Sequence, residues 1–200
     1  MSEVPEKDYQ GAKIGMWLFL FTELMLFGGL FILYAGSRAL HPEEFHTASR
    51  ELNVFLGVAN TVILLTSSLF MAAAITAIQK GSKKLAMRLV ALTIACGVFF
   101  LINKGVEWSQ KFHHGFYPNG PALAHSPAGE PIFFGLYFIM TGLHGLHVLA
   151  GTLLLCVMLV WLARDRVRAD DYVSLENSGL YWHLVDVIWI FLLPLFYLAA

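Results

Sequence analysis

From Leu52 to Ile78, and again from Pro131 to Ala163, this chain carries no formal charge at all. A hydrocarbon layer about 30 Å thick is crossed by about 20 residues of α-helix, and both stretches exceed that length. Three more runs fit the same measure: Ile14 to Ala35, interrupted by Glu23; Leu85 to Trp108, charged only toward its ends; and Ser178 to Ala200, interrupted by Asp186. With 58% apolar and 14% charged residues, and a mean hydropathy of +0.65, the chain has more apolar surface than a water-soluble core of 200 residues can hide. A β-barrel would alternate in short segments instead. The expected fold is an all-α integral membrane bundle of five transmembrane helices, forming a single domain over residues 13–200 behind a cytoplasmic tail of residues 1–12. A net charge of −1 leaves no electrostatic footprint for nucleic acid.

Lysine and arginine give the expected orientation. Lys7, Lys13, Lys80, Lys83, Lys84, Arg88, Arg164, Arg166 and Arg168 fall on the N-terminal side, against Arg38, Arg50, Lys104 and Lys111 on the other. The positive-inside rule therefore places the N-terminus in the cytoplasm and the C-terminus outside. The acidic start, Met1 to Asp8, lacks the basic region of a signal peptide, so the first apolar run is expected to remain as a span. Cys96 and Cys156 lie far apart in apolar runs and are expected to be buried packing residues. Residues 110–130 read as an ordered, turn-rich outer loop.

Ionisable groups at membrane depth cost about 2.5–3.5 kcal/mol each on insertion scales, so each needs a reason. Glu23 is expected to be a neutral acid hydrogen-bonded to a neighbouring helix, with a proton-relay role as the sharper alternative. On the fourth span Tyr137, Thr141, His144, His147 and Gly151 share one helical stripe, and on the fifth Glu176, His183 and Asp186 do the same, flanked by Trp182 and Trp189. Asn53, Asn60 and Ser67 repeat the pattern on the second span. Such groups face a bundle interior and find partners there. By helical rise, His144 and His147 sit deeper than His183, a poor match for a shared haem. All eight histidines are expected to be hydrogen-bonding or surface residues. No nucleophile–base pair, phosphate loop or metal cage is evident, so no catalytic, cofactor or metal residue is assigned.

The segments His144-Gly145-Leu146-His147-Val148 with Gly151, and Glu176 with Tyr181-Trp182-His183-Leu184-Val185-Asp186-Val187-Ile188-Trp189, resemble the two signature segments of subunit III of haem–copper oxidases. Gly15 to Phe27 with Glu23, Asn60-Thr61 through Ser67, and Lys104 to Trp108 with Glu107 resemble further parts of that family, so the similarity covers nearly the whole chain from Lys13. The resemblance implies a non-catalytic membrane subunit of a cytochrome c oxidase in a prokaryotic inner membrane. It implies direct packing on subunit I, with subunit II nearby and haem and copper in those partners. Bound phospholipid and support of proton uptake are implied as well. Glu23, Asn60, Glu107, His144, His147, Glu176, Trp182, His183 and Asp186 are the polar motif residues so singled out. Two departures stand out. The long form of the family has seven helices, two more than expected here, and Ala74-Ile75-Thr76 replaces an Ala-His-His segment. The family also includes the corresponding subunit of quinol oxidases and a homologue associated with nitric oxide reductase. A free-standing proton channel or transporter would need broken helices at the midplane, and only Pro194 hints at one.

Overall fold

A computed structural model describes residues 9–117, 120–124 and 126–198. Five long apolar helices are present: α1 (Tyr9–Leu40), α3 (Val54–Gln79), α4 (Lys83–His113), α5 (Gly129–Ala163) and α6 (Val173–Tyr197). The expected five-span bundle is therefore what forms, with helices reaching beyond the apolar runs at most ends. Of the expected N-terminal tail, Met1 to Asp8 lie outside the described residues, and Tyr9 to Ala12 already belong to α1. An eight-residue helix not expected from the sequence, α2 (Pro42–Ser49), follows α1. It opens with Pro42, whose missing N–H is harmless in a first turn, and buries Phe45 edge-on against Tyr34 and Phe133. Its pattern is too short to show as a helical period among charged neighbours.

Helices α3, α4, α5 and α6 pack on one another as α3–α4, α4–α5, α5–α6 and α6–α3, a closed four-helix core. Helix α1 leans on α5 and α6 from outside, and α2 on α5. The ends are built locally. Asn53, expected on a buried stripe, instead caps α3 by accepting from the Leu56 N–H at 3.2 Å. Helix α3 stops at Gly81 (φ 75°), with Ser82 N–H donating to Ala77 O at 2.9 Å. Helix α4 stops the same way at Gly115 (φ 77°), with Phe116 N–H donating to Lys111 O at 3.0 Å. A left-handed residue after the last turn lets the chain cover its open carbonyls. Helix α5 repeats this turn with Asp165 (φ 56°) in place of glycine. There Lys83 holds the residue, its Nζ 2.6 Å from Asp165 Oδ1 and 3.1 Å from Ala163 O. That bond to Lys83 keeps the exposed Asp165 carboxyl below the ordinary range for aspartate. Between α4 and α5 the described part of the connecting loop holds a single 3₁₀ turn, Pro121–Leu123.

Neither cysteine is buried as expected. Cys96 is half-buried and Cys156 exposed on the outside of α5. In a membrane bundle the apolar surroundings a small hydrophobe seeks include lipid as well as the core, so apolar context alone does not imply burial.

Candidate functional site

The polar residues inside the bundle form three sets of contacts, each joining helices that are distant in sequence. The first fastens α1. Only Leu20, Phe27 and Tyr34 of this helix are buried, one residue every two turns along a single line. Alongside that line run polar ties to α5 and α6. Lys13 pairs with Glu176 of α6 at 2.9 Å near one end, Tyr34 OH donates to the Leu195 carbonyl near the other, and Glu23 lies between them. Glu23 Oε2 is 2.8 Å from His147 Nε2 of α5. His147 Nδ1 is 2.8 Å from the Leu143 carbonyl, which can only accept, so Nδ1 carries a hydrogen. Nε2 therefore meets Glu23 either as acceptor of a carboxylic O–H or as the second donor of an imidazolium. In both cases the acid is hydrogen-bonded to a neighbouring helix, as expected from the sequence, and its partner is His147.

The second set lies in the four-helix core. Trp182 of α6 is fully buried and donates from Nε1 to Ser67 Oγ of α3 at 2.9 Å. Its ring fills the space left by two glycines. A Cβ on Gly97 of α4 would come within 2.7 Å of Trp182 Cη2, and one on Gly151 of α5 within 3.0 Å of Cε3. Trp189, one heptad on, donates to Thr61 Oγ1 at 3.0 Å. Asn60 accepts from Asn103 Nδ2 at 3.0 Å, joining α3 to α4. Ser68 Oγ and His183 Nδ1, 2.6 Å apart, join α3 to α6. The stripe on α6 is thus divided between neighbours: Glu176 meets α1 and His183 meets α3. The long, part-exposed side chains of Lys13 and Glu176 reach around the helix to make their contact.

Two residues of this set do not fasten anything. His144 is fully buried between Phe100 and Trp189, with ring centroids 5.4 and 5.1 Å away. Neither of its nitrogens has a hydrogen-bond partner among the described residues. This corrects the expectation that every histidine is hydrogen-bonded or at the surface: aromatic rings enclose the imidazole on the packed side of α5. Asp186 is also buried, and neither of its carboxyl oxygens has a hydrogen-bond partner among the described residues.

The third set, at the end of the bundle where α4 and α6 finish, contains a buried ion pair. Lys104 and Glu107 are one turn apart on α4, with Nζ 3.0 Å from Oε2. Lys104 also donates to Tyr137 OH of α5 at 3.0 Å and Tyr197 OH of α6 at 2.9 Å. Both phenols donate in turn to Glu107 Oε1, at 2.9 and 2.6 Å. Every ammonium hydrogen and both carboxylate oxygens are thereby engaged, which is what a buried pair requires to offset its desolvation. Glu107 also lines a cavity of about 280 Å³ with Gln110, Lys111 and His114 at the end of α4. Sequence reasoning singled out Glu107 but not Lys104 or Tyr197. The available signal was two opposite charges spaced i, i+3 at the edge of a span.

Among the described residues no three His, Cys, Asp or Glu side chains converge as a metal-holding group. His125 lies outside the described residues.

Residues 6–200 match the family model of cytochrome c oxidase subunit III. A cytochrome c oxidase subunit 3 of Thermostichus vulcanus is 32% identical over 189 residues, covering 94% of this chain and 87% of that protein. The subunit 3 of Corynebacterium diphtheriae is 32% identical over 180 residues, covering 89% and 83%. That of Sus scrofa is 30% identical over 189 residues and covers 92% of this chain but 67% of its own longer length. With five membrane-length helices in one bundle and a match along nearly its whole length, this chain belongs to the cytochrome c oxidase subunit III family.

Proposed function

We propose that this subunit III serves its oxidase as a membrane-embedded wall, without a redox centre of its own. It packs directly on subunit I, has subunit II in the same complex, and leaves haem and copper to those partners. Phospholipid lies along its exposed flank, and its presence supports proton uptake by the catalytic subunit. The setting is a prokaryotic inner membrane, with the N-terminus cytoplasmic and the C-terminus outside.

The observation that carries this reading is the surface of α1. Beyond its one buried line, large apolar side chains from Ile14 to Leu33, Trp17, Phe21 and Leu24 among them, are exposed on this chain. A flank of that length needs lipid or another subunit against it. The ionisable groups Glu23, Lys104, Glu107 and His183 are engaged between helices of the same chain, which supports a fastening role for them.

The test is purification of the tagged chain from its native membrane in mild detergent. A haem-bearing subunit is expected to elute with it, and a Soret band to be absent once stronger detergent strips the chain free. Stoichiometric haem or copper retained by the stripped, still helical chain would overturn the proposal.

A further inference from the structure

Along α6, His183, Val187, Ile190 and Pro194 follow at spacings of four, three and four residues and so share one helical line. That line looks away from the four-helix core. Trp182 and Trp189 are buried in the core, Phe191 meets Phe31 of α1, and His183 leans on Ser68 of α3. Val187 and Ile190 are 46% and 41% exposed, and Pro194 is exposed as well. Leu65 and Ala72 of α3, one turn to either side of Ser68, extend the same exposed surface. The charged, part-exposed Lys13–Glu176 pair marks the polar edge of α6. At about 1.5 Å per residue, His183 lies about 10 Å and Ile190 about 21 Å along the helix from Glu176. Both fall within a hydrocarbon layer about 30 Å thick.

Two hydrogen-bonding groups stand on this line. His183 is half-buried, with Nδ1 2.6 Å from Ser68 Oγ. Its Nε2 has no hydrogen-bond partner among the described residues, and they do not enclose it. The second group is a backbone carbonyl. Pro194 lies inside α6 and has no N–H, so the Ile190 carbonyl lacks the donor that a helix supplies four residues on. Hydrocarbon tails offer neither donor nor acceptor, and polar groups left open at this depth are covered by protein. Exposed hydroxyls elsewhere on the bundle make no such demand. Thr22 of α1 donates to the Phe19 carbonyl and Thr66 of α3 to the Val62 carbonyl, each at 2.7 Å.

We infer that the outer α3–α6 face seats a transmembrane helix of a partner subunit, which brings a hydroxyl or carboxamide side chain to His183 Nε2 and a second donor to the Ile190 carbonyl. Hydroxyl and carboxamide groups can donate or accept, so they suit either placement of the imidazole hydrogen. The two contact points are one heptad apart on α6, about 10 Å. The partner helix therefore carries its two polar residues about seven positions apart on an otherwise apolar surface. Val187, between the two points, packs directly beneath it. The inference rests on the proposed packing against a partner subunit and names the face that makes the contact.

The test places a photoreactive benzophenone amino acid at Val187 in the full tagged chain, expressed in its native membrane. After illumination and denaturing purification, adducts are identified by mass spectrometry. A transmembrane peptide of another subunit is expected on Val187. His183→Leu keeps α6 apolar but removes the imidazole, and should lower that cross-link about tenfold, the upper range for one lost hydrogen bond. Ser68→Ala removes the tie within the chain but leaves Nε2, so the cross-link should persist. A fall in Ser68→Ala as large as in His183→Leu would overturn the role of Nε2. Where His183→Leu does not accumulate, the cross-link from Val187 beside native His183 decides. Lipid adducts alone at Val187, in preparations that still carry haem, would overturn the face. A protein cross-link at Val187 in preparations without haem would keep the face and remove the oxidase reading, so either conclusion can fail alone.

Discussion

Lys104 holds a full ammonium among Trp189, Tyr137 and Tyr197, with all three of its N–H bonds directed at oxygen. Removing one member of such a pair leaves the other charge buried and alone. Lys104→Met is accordingly expected to destabilise the bundle by about 3–5 kcal/mol, measured by unfolding in mixed micelles. The double variant Lys104→Met, Glu107→Leu should recover much of that loss, and a double variant no better than the single one would refute the account. Glu23 answers a different question. Glu23→Gln can still donate an amide N–H to His147 Nε2, so the chain should reach the complex at wild-type levels per haem. Glu23→Ala strands His147 and should cut that level, since an unsatisfied buried group costs about 1–3 kcal/mol. If Gln assembles normally yet proton release per turnover falls sharply, Glu23 ionises during the reaction and is more than a tie. Glu23 was conspicuous in the sequence as a charge within an apolar run, and Glu107 as one at the edge of another. Their partners were not, because spacing within one helix says nothing about which faces of distant helices meet. His144 and Asp186 show the limit most clearly: residue type and depth mark them as costly, yet no partner follows from either.

At the scale of single helices, close approach and helix endings dominate. Trp182 is seated between Gly97 and Gly151, so even one methyl group at Gly97 must displace both Thr152 and the indole, or move α4 away. Gly97→Ala is expected to lose about 1–3 kcal/mol of stability by overpacking, and no loss in the unfolding midpoint would mean α4 can retreat. The turn after α5 offers a pH test. Asp165 is kept ionised below its ordinary range by Lys83, so that contact stabilises the fold above the usual carboxylate range and is lost as acid protonates Asp165. The stability difference between wild type and Lys83→Ala should therefore persist at neutral pH and shrink below about pH 4. A difference that survives at lower pH would assign the effect to the Ala163 carbonyl contact instead. The five spans themselves were legible, since length and the absence of charge suffice for them. Helix α2 was not, because eight residues make barely two turns and Phe45 is its sole large apolar anchor.

For the molecule as a whole, the arginine and lysine asymmetry predicts which end faces which compartment. Cysteines placed at Ser82 and Ser126 are expected to react differently with an impermeant maleimide added from outside: Ser126→Cys labels and Ser82→Cys does not. Labelling of Ser82→Cys in sealed cells would reverse the topology. Helix α1 has a further consequence, in the order of synthesis. Its partner for Glu23 is His147, 124 residues further along the chain. At about 5–20 residues per second, translation needs about 6–25 s to deliver that histidine. Throughout that interval α1 stands in the bilayer without the residue that matches the acid at its centre. Its apolar residues on every side suit it to wait there. The clasp on Glu23 can close only when α5 has arrived, which makes docking of the first helix one of the last events in building the subunit.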